Sequence, residues 1–416
     1  MIRSLFQFLL TVLVSATPII AASGQREGAT VLSGSERLAL ATTLQENDRY
    51  RVSRSGKHLV VALKQPHLVL STSAINGGQV SSLRYLVNFQ SLEAVGHDAR
   101  FEKIIELSPE AYHQQLADEL GLPGELVASM GTAANINNTA YASEQFRDIT
   151  VDAYVTAGVA GNALRSSDRA SWYQGDAGNE FVKDHGTINI ILLINRTLAE
   201  GAMAKAAMVL TEAKSAALAE LAIPSTRSQY LATGTGTDQY IIATPTDSDL
   251  VALASASGHL KLGELIGNAV KKAVLEAIEL QNGLSRAGTR DIFHALGRFG
   301  LTEKEIVSQV AMRVSEQDAE LFRDNKDAVF KDSKLVAAAY AYAALLDRVE
   351  FGTLAKSIQA DVLTDQAVNA AIAVAANGHY ANDFRSKLAF DEAEPLSAFA
   401  QAIALGWQKK WQHPLD

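Results

Sequence analysis

The sequence predicts an α/β or α+β protein that has a layered core of sheets and helices and a mostly helical C-terminal extension. Strand patterns alternate with helix patterns between residues 58 and 285, and such a mixture favours sheets covered by helices. From about Gly283 onward the composition changes, and residues 335–346 form an alanine-rich run typical of a buried helix. The pattern does not fix the order of the strands and does not demand a parallel sheet.

The individual elements follow from short-range patterns. Residues 188–194 are apolar and β-branched apart from Asn189, which predicts a buried strand. Residues 198–221 are rich in alanine and contain no proline, which predicts a long helix. Ser108 and Pro109 open another helix, as N-cap and first helical residue. Further strands are predicted at residues 50–52, 58–63, 67–71, 149–156 and 240–244, and a further helix leads from residues 258–267 to about residue 280.

Four segments are predicted along the chain: a signal peptide (1–22), an N-terminal segment (23–57), the core (58–285) and the helical extension (286–416). The first has the layout of a secretory signal, with Arg3, a short apolar stretch at 5–14, Pro18 and small residues around Ala22. The alternative is a retained membrane anchor, but the apolar stretch is short for a span of ~20 residues. We expect cleavage near Ala22 and export, to the periplasm where the cell has two membranes.

The composition excludes several kinds of site and partner. The chain contains no cysteine, which excludes a thiol nucleophile, disulfides, iron–sulfur clusters and cysteine-ligated zinc. The formal charge of −9 is fairly evenly spread, and without a basic stripe a nucleic-acid partner is not expected. No stable membrane span is expected after signal cleavage, and the sequence does not determine the oligomeric state.

The most informative stretch is a loop in which three threonines alternate with two glycines. It reads Ala232-Thr233-Gly234-Thr235-Gly236-Thr237-Asp238. Glycines let another group approach the backbone closely, and successive N–H groups in such a turn can bind an anion. The threonine hydroxyls are donors and candidate nucleophiles, and Asp238 adds a charge. The alternative is a threonine- and glycine-rich hairpin turn without chemistry.

Other polar residues lie in segments that flank this loop. On the predicted helix, Thr211, Lys214 and Ser215 share one face and Glu212 points elsewhere. His259 precedes a predicted helix. Each has a structural alternative, because charges on a helix are often solvated, a histidine can cap a helix and an aspartate can cap its own turn. The stretch from Ser73 to Gly78 is either a binding loop at a strand end or an ordinary Asn-Gly turn.

Several of these landmarks, in this order, resemble the adenosylcobinamide amidohydrolase family of corrinoid salvage enzymes. The matching blocks are GTIN at 186–189, TEAK at 211–214, ATGTGTD at 232–238 and GH-x-KLGELIG at 258–267, together with 73–78 and 155–163. The resemblance covers roughly residues 60–285. One departure is Leu260, where the family pattern has threonine, so a hydroxyl beside His259 is missing.

The resemblance implies hydrolysis of one amide of adenosylcobinamide, a small-molecule corrinoid substrate, to adenosylcobyric acid and aminopropanol. Amide hydrolysis needs an activated nucleophile, a stabilised oxyanion and a proton for the amine. The candidate catalytic residues are Glu212, Lys214, Asp238 and His259. The candidate substrate-binding residues are Ser73, Asn76, Gly77, Gly78, Asn189, Thr233, Gly234, Thr235, Gly236 and Thr237. The N–H groups around Gly234 and Gly236 are expected to form the oxyanion hole.

Three alternatives remain open. The first is a divalent metal mechanism, for which the candidate ligands are His185, His259, Asp238, Glu212 and Glu264. No H-E-x-x-H spacing is present, so no metal and no other cofactor is expected. The second is an exported corrinoid-binding protein without catalysis, and the third is an amidase for another large, amide-rich substrate. Detection of adenosylcobyric acid after incubation with adenosylcobinamide separates these functions.

Overall fold

The computed structural model describes residues 33–90, 107–170, 186–246 and 250–411. The predicted signal peptide at 1–22 and the candidate metal ligand His185 lie outside these residues. The described part of the core consists of two β-sheets stacked face to face, with helices on both outer faces. This is an α+β arrangement, and the C-terminal region is helical, as the sequence predicts.

The first sheet has five strands in the order β1-β2-β3-β6-β7. Its strands are β1 (Thr42–Glu46), β2 (Tyr50–Ser55), β3 (His58–Leu63), β6 (Tyr85–Gln90) and β7 (Val127–Thr132). Neighbours are antiparallel except β6 and β7, which are parallel. Helix α1 (Gly34–Ala39) and helix α2 (Pro109–Leu120) lie on the outer side of this sheet, where Leu38 and Leu116 pack against it.

The second sheet has six strands in the order β5-β4-β13-β11-β9-β8. Its strands are β4 (His67–Ser71), β5 (Gly78–Val80), β8 (Ala140–Phe146), β9 (Ile149–Ala157), β11 (Ile188–Ile194) and β13 (Gln239–Pro245). The pair β11 and β13 is parallel, and the other pairs are antiparallel. A separate two-stranded ladder joins β10 (Ala163–Leu164) to β12 (Gly234–Thr235).

Strand β11 lies in the middle of the molecule, and every residue of it is buried, as predicted. Because side chains alternate along a strand, Ile190 and Leu192 pack towards the helices, whereas Ile191 and Leu193 pack between the two sheets. The covering helices are α3 (Glu200–Glu220) and α4 (Lys261–Asn282). Their apolar faces complete the larger core of the sandwich.

The directions of β11, α3 and β13 bring Lys214 and Asp238 to the same end of the second sheet. Strand β11 begins at one edge of the second sheet, here called the near edge, and runs about 23 Å to the far edge. Helix α3 then returns, so its C-terminal half, with Lys214, comes back beside the near edge. Strand β13 is parallel to β11 and also begins at the near edge, directly after Asp238.

The C-terminal region folds around a core of its own. Its helices are α5 (Ile292–Leu296), α6 (Glu303–Ala311), α7 (Glu316–Phe330), α8 (Ser333–Glu350), α9 (Lys356–Ala375), α10 (Ala381–Lys387) and α11 (Ser397–Lys409). Phe322, Tyr342 and Phe399 are fully buried there. Thr302 caps α6 by accepting from the Glu305 N–H at 3.3 Å. Among the described residues, no helix combines the length and apolarity that crossing a bilayer requires.

Candidate functional site

Asp238 is the centre of a polar cluster at the near edge. Its Oδ1 accepts from the Ile188 N–H at 3.0 Å and from the Thr235 hydroxyl at 2.5 Å. Its Oδ2 accepts from the Thr235 N–H at 3.0 Å and from the Lys214 ammonium. Four donors therefore surround one carboxylate, which connects β11, helix α3 and the threonine–glycine loop.

Lys214 enters this cluster from helix α3. Its side chain is only 11% exposed and forms an ion pair with Asp238. A buried ammonium needs such a partner, because burying an unpaired charge is costly. On the same helix face, the Ser215 hydroxyl donates to the Thr233 carbonyl oxygen at 2.8 Å. Two successive residues of α3 thus hold the loop from one side.

Gly234 lies where the ion pair leaves no room for a side chain. A Cβ atom there would be 2.3 Å from Asp238 Oδ2 and 2.6 Å from Lys214 Nζ. At Gly236 a Cβ would be 2.9 Å from Asn162 Oδ1. The two glycines therefore serve close approach, which is one of the two uses that the sequence suggests for them.

The three loop threonines have different surroundings. Thr233 Oγ1 accepts from the Ser166 N–H at 2.8 Å. Thr237 Oγ1 donates to the Gly186 carbonyl oxygen at 3.0 Å and accepts from the Asn162 amide at 3.3 Å. Among the described residues, Thr235 is the one of the three whose hydroxyl donates to a carboxylate. Thr235 is also a partly exposed residue.

Two of the loop amides are bonded within the protein. The Gly236 N–H donates to the Asn162 carbonyl oxygen at 3.2 Å, and the Thr235 N–H donates to Asp238. These bonds fix the loop and leave neither amide for an oxyanion. Beside Gly234 the loop also meets both charges of the ion pair between Lys214 and Asp238.

Two further residues belong to the cluster although they were not singled out as candidates. The Asn162 side chain donates to the Gly186 carbonyl oxygen at 2.9 Å, and the Thr187 hydroxyl donates to the Thr237 carbonyl oxygen at 2.6 Å. Both are buried. Each stands inside a block that carries the family resemblance, and that position was the signal available in the sequence.

Asn189 lies on the opposite side of the second sheet from Asp238. It is fully buried between the two sheets, where its amide donates to Asn88 Oδ1 and to the Gly131 carbonyl oxygen, both at 2.9 Å. Asn88 in turn donates to the Thr156 hydroxyl at 2.9 Å. This network joins the sheets beneath the near edge.

The loop from Ser73 to Gly78 is tied to the first sheet by its own polar atoms. The Ser73 hydroxyl accepts from the Ser129 N–H at 3.0 Å and donates to the Ile75 carbonyl oxygen at 2.6 Å. The Asn76 amide donates to the carbonyl oxygens of Gly124 and Val127 at 3.0 and 2.8 Å. A Cβ on Gly77 would be 1.9 Å from the Ser73 carbonyl oxygen, and Gly78 has a φ of 77°. These contacts hold the loop in shape.

Two candidate catalytic residues lie away from the cluster. Glu212 is exposed on helix α3, and no described residue provides it with an ion-pair partner. His259 is exposed just before helix α4. Nearby, Lys261 Nζ lies 4.9 Å from the centre of the Phe146 ring, at the far edge.

The geometry of helix α4 separates His259 from Asp238. The 22-residue helix is about 33 Å long, and its last residue, Asn282, accepts from the Val159 N–H at 3.1 Å, at the near edge. His259 therefore stands at the opposite end of the sandwich from Asp238. The structure joins Lys214 and Asp238 to Thr235, and it brings neither Glu212 nor His259 to them.

A metal site would need several ligating side chains close together. Among the residues that the structure describes, no three His, Asp or Glu side chains are grouped as a metal ion would require. The candidate Glu264 is exposed and paired with Lys261 at 2.7 Å.

Comparison with known proteins agrees with the motif blocks. The family model of adenosylcobinamide amidohydrolases matches residues 41–286, which is more than half of the chain. Over 181 residues the chain is 39% identical to an uncharacterized protein of Methanocaldococcus jannaschii, a match that covers 41% of this chain and 70% of that protein. A crystal structure, that of the PH0078 protein from Pyrococcus horikoshii OT3, aligns with a TM-score of 0.25 at 11% identity, covering 57% of this chain and 82% of that one.

Proposed function

We propose that this chain, which belongs to the adenosylcobinamide amidohydrolase family, hydrolyses the aminopropanol amide of adenosylcobinamide to adenosylcobyric acid. The observation that carries the proposal is the alignment of Thr235, Asp238 and Lys214. The hydroxyl of this partly exposed residue donates to a carboxylate whose other oxygen is paired with a buried ammonium. A hydroxyl bonded to a base in this way is the usual arrangement of an activated oxygen nucleophile.

In the proposed reaction the Thr235 oxygen attacks the amide carbon while its proton passes to Asp238 Oδ1. The C–N bond then breaks, and the proton moves from Asp238 to the departing amine. This leaves an ester between the substrate acyl group and Thr235. A water molecule, deprotonated by Asp238, cleaves the ester, releases the carboxylic acid and restores the hydroxyl.

Lys214 has two roles in this scheme. Its charge holds Asp238 in place, and its ammonium lies beside Gly234 of the loop, where we place the negative oxygen of the tetrahedral intermediate. This assigns to an ammonium the role that the sequence suggested for the Gly234 and Gly236 amides. Buried charge is effective there because the surrounding dielectric is lower than in water.

The test is a product assay on the mature protein with adenosylcobinamide, read by mass spectrometry. We expect adenosylcobyric acid from the unmodified chain. Thr235→Ala should lower kcat at least about 100-fold, whereas Thr235→Ser, which keeps a hydroxyl, should retain activity. Thr237→Ala is the matched control, because its hydroxyl bonds to a backbone carbonyl, and we expect a much smaller loss.

Further measurements separate the alternatives. Asp238→Asn and Lys214→Met should each lower kcat, and a brief reaction stopped with acid should trap the acyl group on Thr235. Tight corrinoid binding without product would identify a non-catalytic binder. Neither binding nor product would indicate another substrate. Full activity of Thr235→Ala would refute the proposed nucleophile.

A further inference from the structure

An aromatic and cationic contact connects the helical extension to the near edge. Tyr230 stacks on Phe351, with ring centres 5.4 Å apart and planes inclined by 17°. The Arg165 guanidinium lies over both rings, 5.1 Å from the centre of Tyr230 and 5.8 Å from that of Phe351. We call these three residues the aromatic clamp. Planar guanidinium stacking on aromatic faces is favourable.

Charged groups reinforce the clamp from the end of helix α8. The Tyr230 hydroxyl donates to Glu350 Oε1 at 3.2 Å. Arg298, nearly buried, forms a two-bond pair with Asp347 at 2.7 Å and also donates to the Gln229 carbonyl oxygen. The extension therefore binds the backbone of Gln229 and the side chain of Tyr230.

Gln229 and Tyr230 directly precede the threonine–glycine loop in the sequence. Arg165 follows β10 and donates to the Leu231 carbonyl oxygen at 3.4 Å. In the β10–β12 ladder Ala163 pairs with Thr235, and the Thr233 N–H donates to the Leu164 carbonyl oxygen at 2.9 Å. The clamp thus lies across both strands of the short ladder that carries Thr235.

We propose that the helical extension positions the Thr235 hydroxyl through this clamp. Arg165, Tyr230 and Phe351 are then positioning residues, and removing the Phe351 ring lets the ladder and its loop shift relative to Lys214 and Asp238. The inference rests on the proposed function. The β10–β12 ladder has only two residue pairs, and isolated two-stranded ladders are only marginally stable. Contacts from the helical extension can therefore stabilise the ladder and the loop that follows it.

The experiment compares Phe351→Ala, Phe351→Tyr and the control Trp411→Ala in the full chain. Trp411 is an exposed aromatic residue of the same helical region, and it contacts Trp407 there. Amide hydrogen exchange of residues 226–238 should be faster in Phe351→Ala than in the unmodified chain. We expect kcat to fall about tenfold with KM within about twofold, because a small misplacement of the reacting group is costly. Phe351→Tyr should restore both readouts, and Trp411→Ala should change neither.

The exchange readout keeps this inference separate from the proposed reaction. If Thr235→Ala stays fully active, the proposed nucleophile fails, and exchange still reports whether the clamp holds the loop. Unchanged exchange in Phe351→Ala, or an equal change in Trp411→Ala, would overturn the positioning role. Faster exchange with unchanged kcat would also overturn it, since the loop would then be held without consequence for catalysis.

Discussion

At the scale of single residues, Gly234 decides whether the buried ion pair can form beside the loop. Its missing side chain leaves the space that Asp238 Oδ2 and Lys214 Nζ occupy. Any Cβ would have to displace a charged group that has been removed from water, and such groups are expensive to leave unpaired.

We therefore expect Gly234→Ala to lower kcat about 100-fold and to cost about 1–3 kcal/mol of unfolding free energy. Product formation and urea denaturation measure the two effects. Gly258→Ala is the matched control, because a Cβ there would meet no atom within 4 Å. Equal effects at the two glycines would show that close approach is not the reason for Gly234.

Those features of the site that depend on residues close together in the sequence were predictable. The alternation of glycine and threonine indicated a loop with close approach, and the helical spacing put Lys214 and Ser215 on one face, the face that contacts the loop. The two bonded loop amides differ in this respect. The Thr235 N–H bonds to Asp238 three residues on, which is the local turn cap that the sequence offered as an alternative. The Gly236 N–H bonds to Asn162, and pairing with a residue some 70 positions away leaves no local pattern.

At the scale of elements, the two sheets are joined by a buried carboxylate as well as by apolar packing. Asp152 on β9 accepts from the Tyr50 hydroxyl of β2 in the other sheet, and from the Tyr141 hydroxyl at 2.8 Å. Burial, and then the charge of Asp152, raise the pKa of Tyr50 far above its usual range. The folded state therefore keeps this proton at a pH where the unfolded chain loses it.

This linkage gives a stability prediction with a definite sign. Tyr50→Phe removes a donor from a buried carboxylate, and we expect a loss of about 1–3 kcal/mol of unfolding free energy near neutral pH. In the unmodified chain the stabilisation is complete below about pH 10 and declines above it, since only the unfolded tyrosine ionises there. Urea denaturation from pH 8 to 11 should show a shallower decline in Tyr50→Phe. The control Tyr85→Phe should keep the original decline, and identical slopes in all three would contradict the linkage.

The position of His259 depends on the direction of helix α4 relative to the sheet, which residue patterns do not determine. Its helix was predictable from residue patterns, but the catalytic assignment required the start of that helix to lie at the near edge. Strand β13 ends at the far edge, and Leu253 bridges Leu198 at that same edge, so helix α4 begins there. That direction depends on β11 and β13 being parallel, which residue patterns left open.

At the scale of the whole molecule, the first helix that the structure describes carries its own N-terminal cap. Ser33 caps α1 with a capping box, in which Glu36 bonds back to the Ser33 N–H at 2.8 Å. The helix also packs closely on the end of α2, because a Cβ on Gly34 would be 2.1 Å from the Gly121 nitrogen. The Ser55 hydroxyl donates to the Arg37 carbonyl oxygen at 3.1 Å.

We expect deletion of residues 2–22 to leave the Tm within about 2 °C. The segment is predicted to be a cleaved export signal, and α1 supplies its own N-terminal cap. Deletion of residues 2–40 is the contrasting variant. It removes Leu38 from its packing against the first sheet and the close contact at Gly34, so its Tm should fall by several degrees. The unmodified chain should be exported and begin near Ser23, whereas both deletions should remain inside the cell. A large loss of Tm on deleting residues 2–22 alone would mean that this segment is part of the fold.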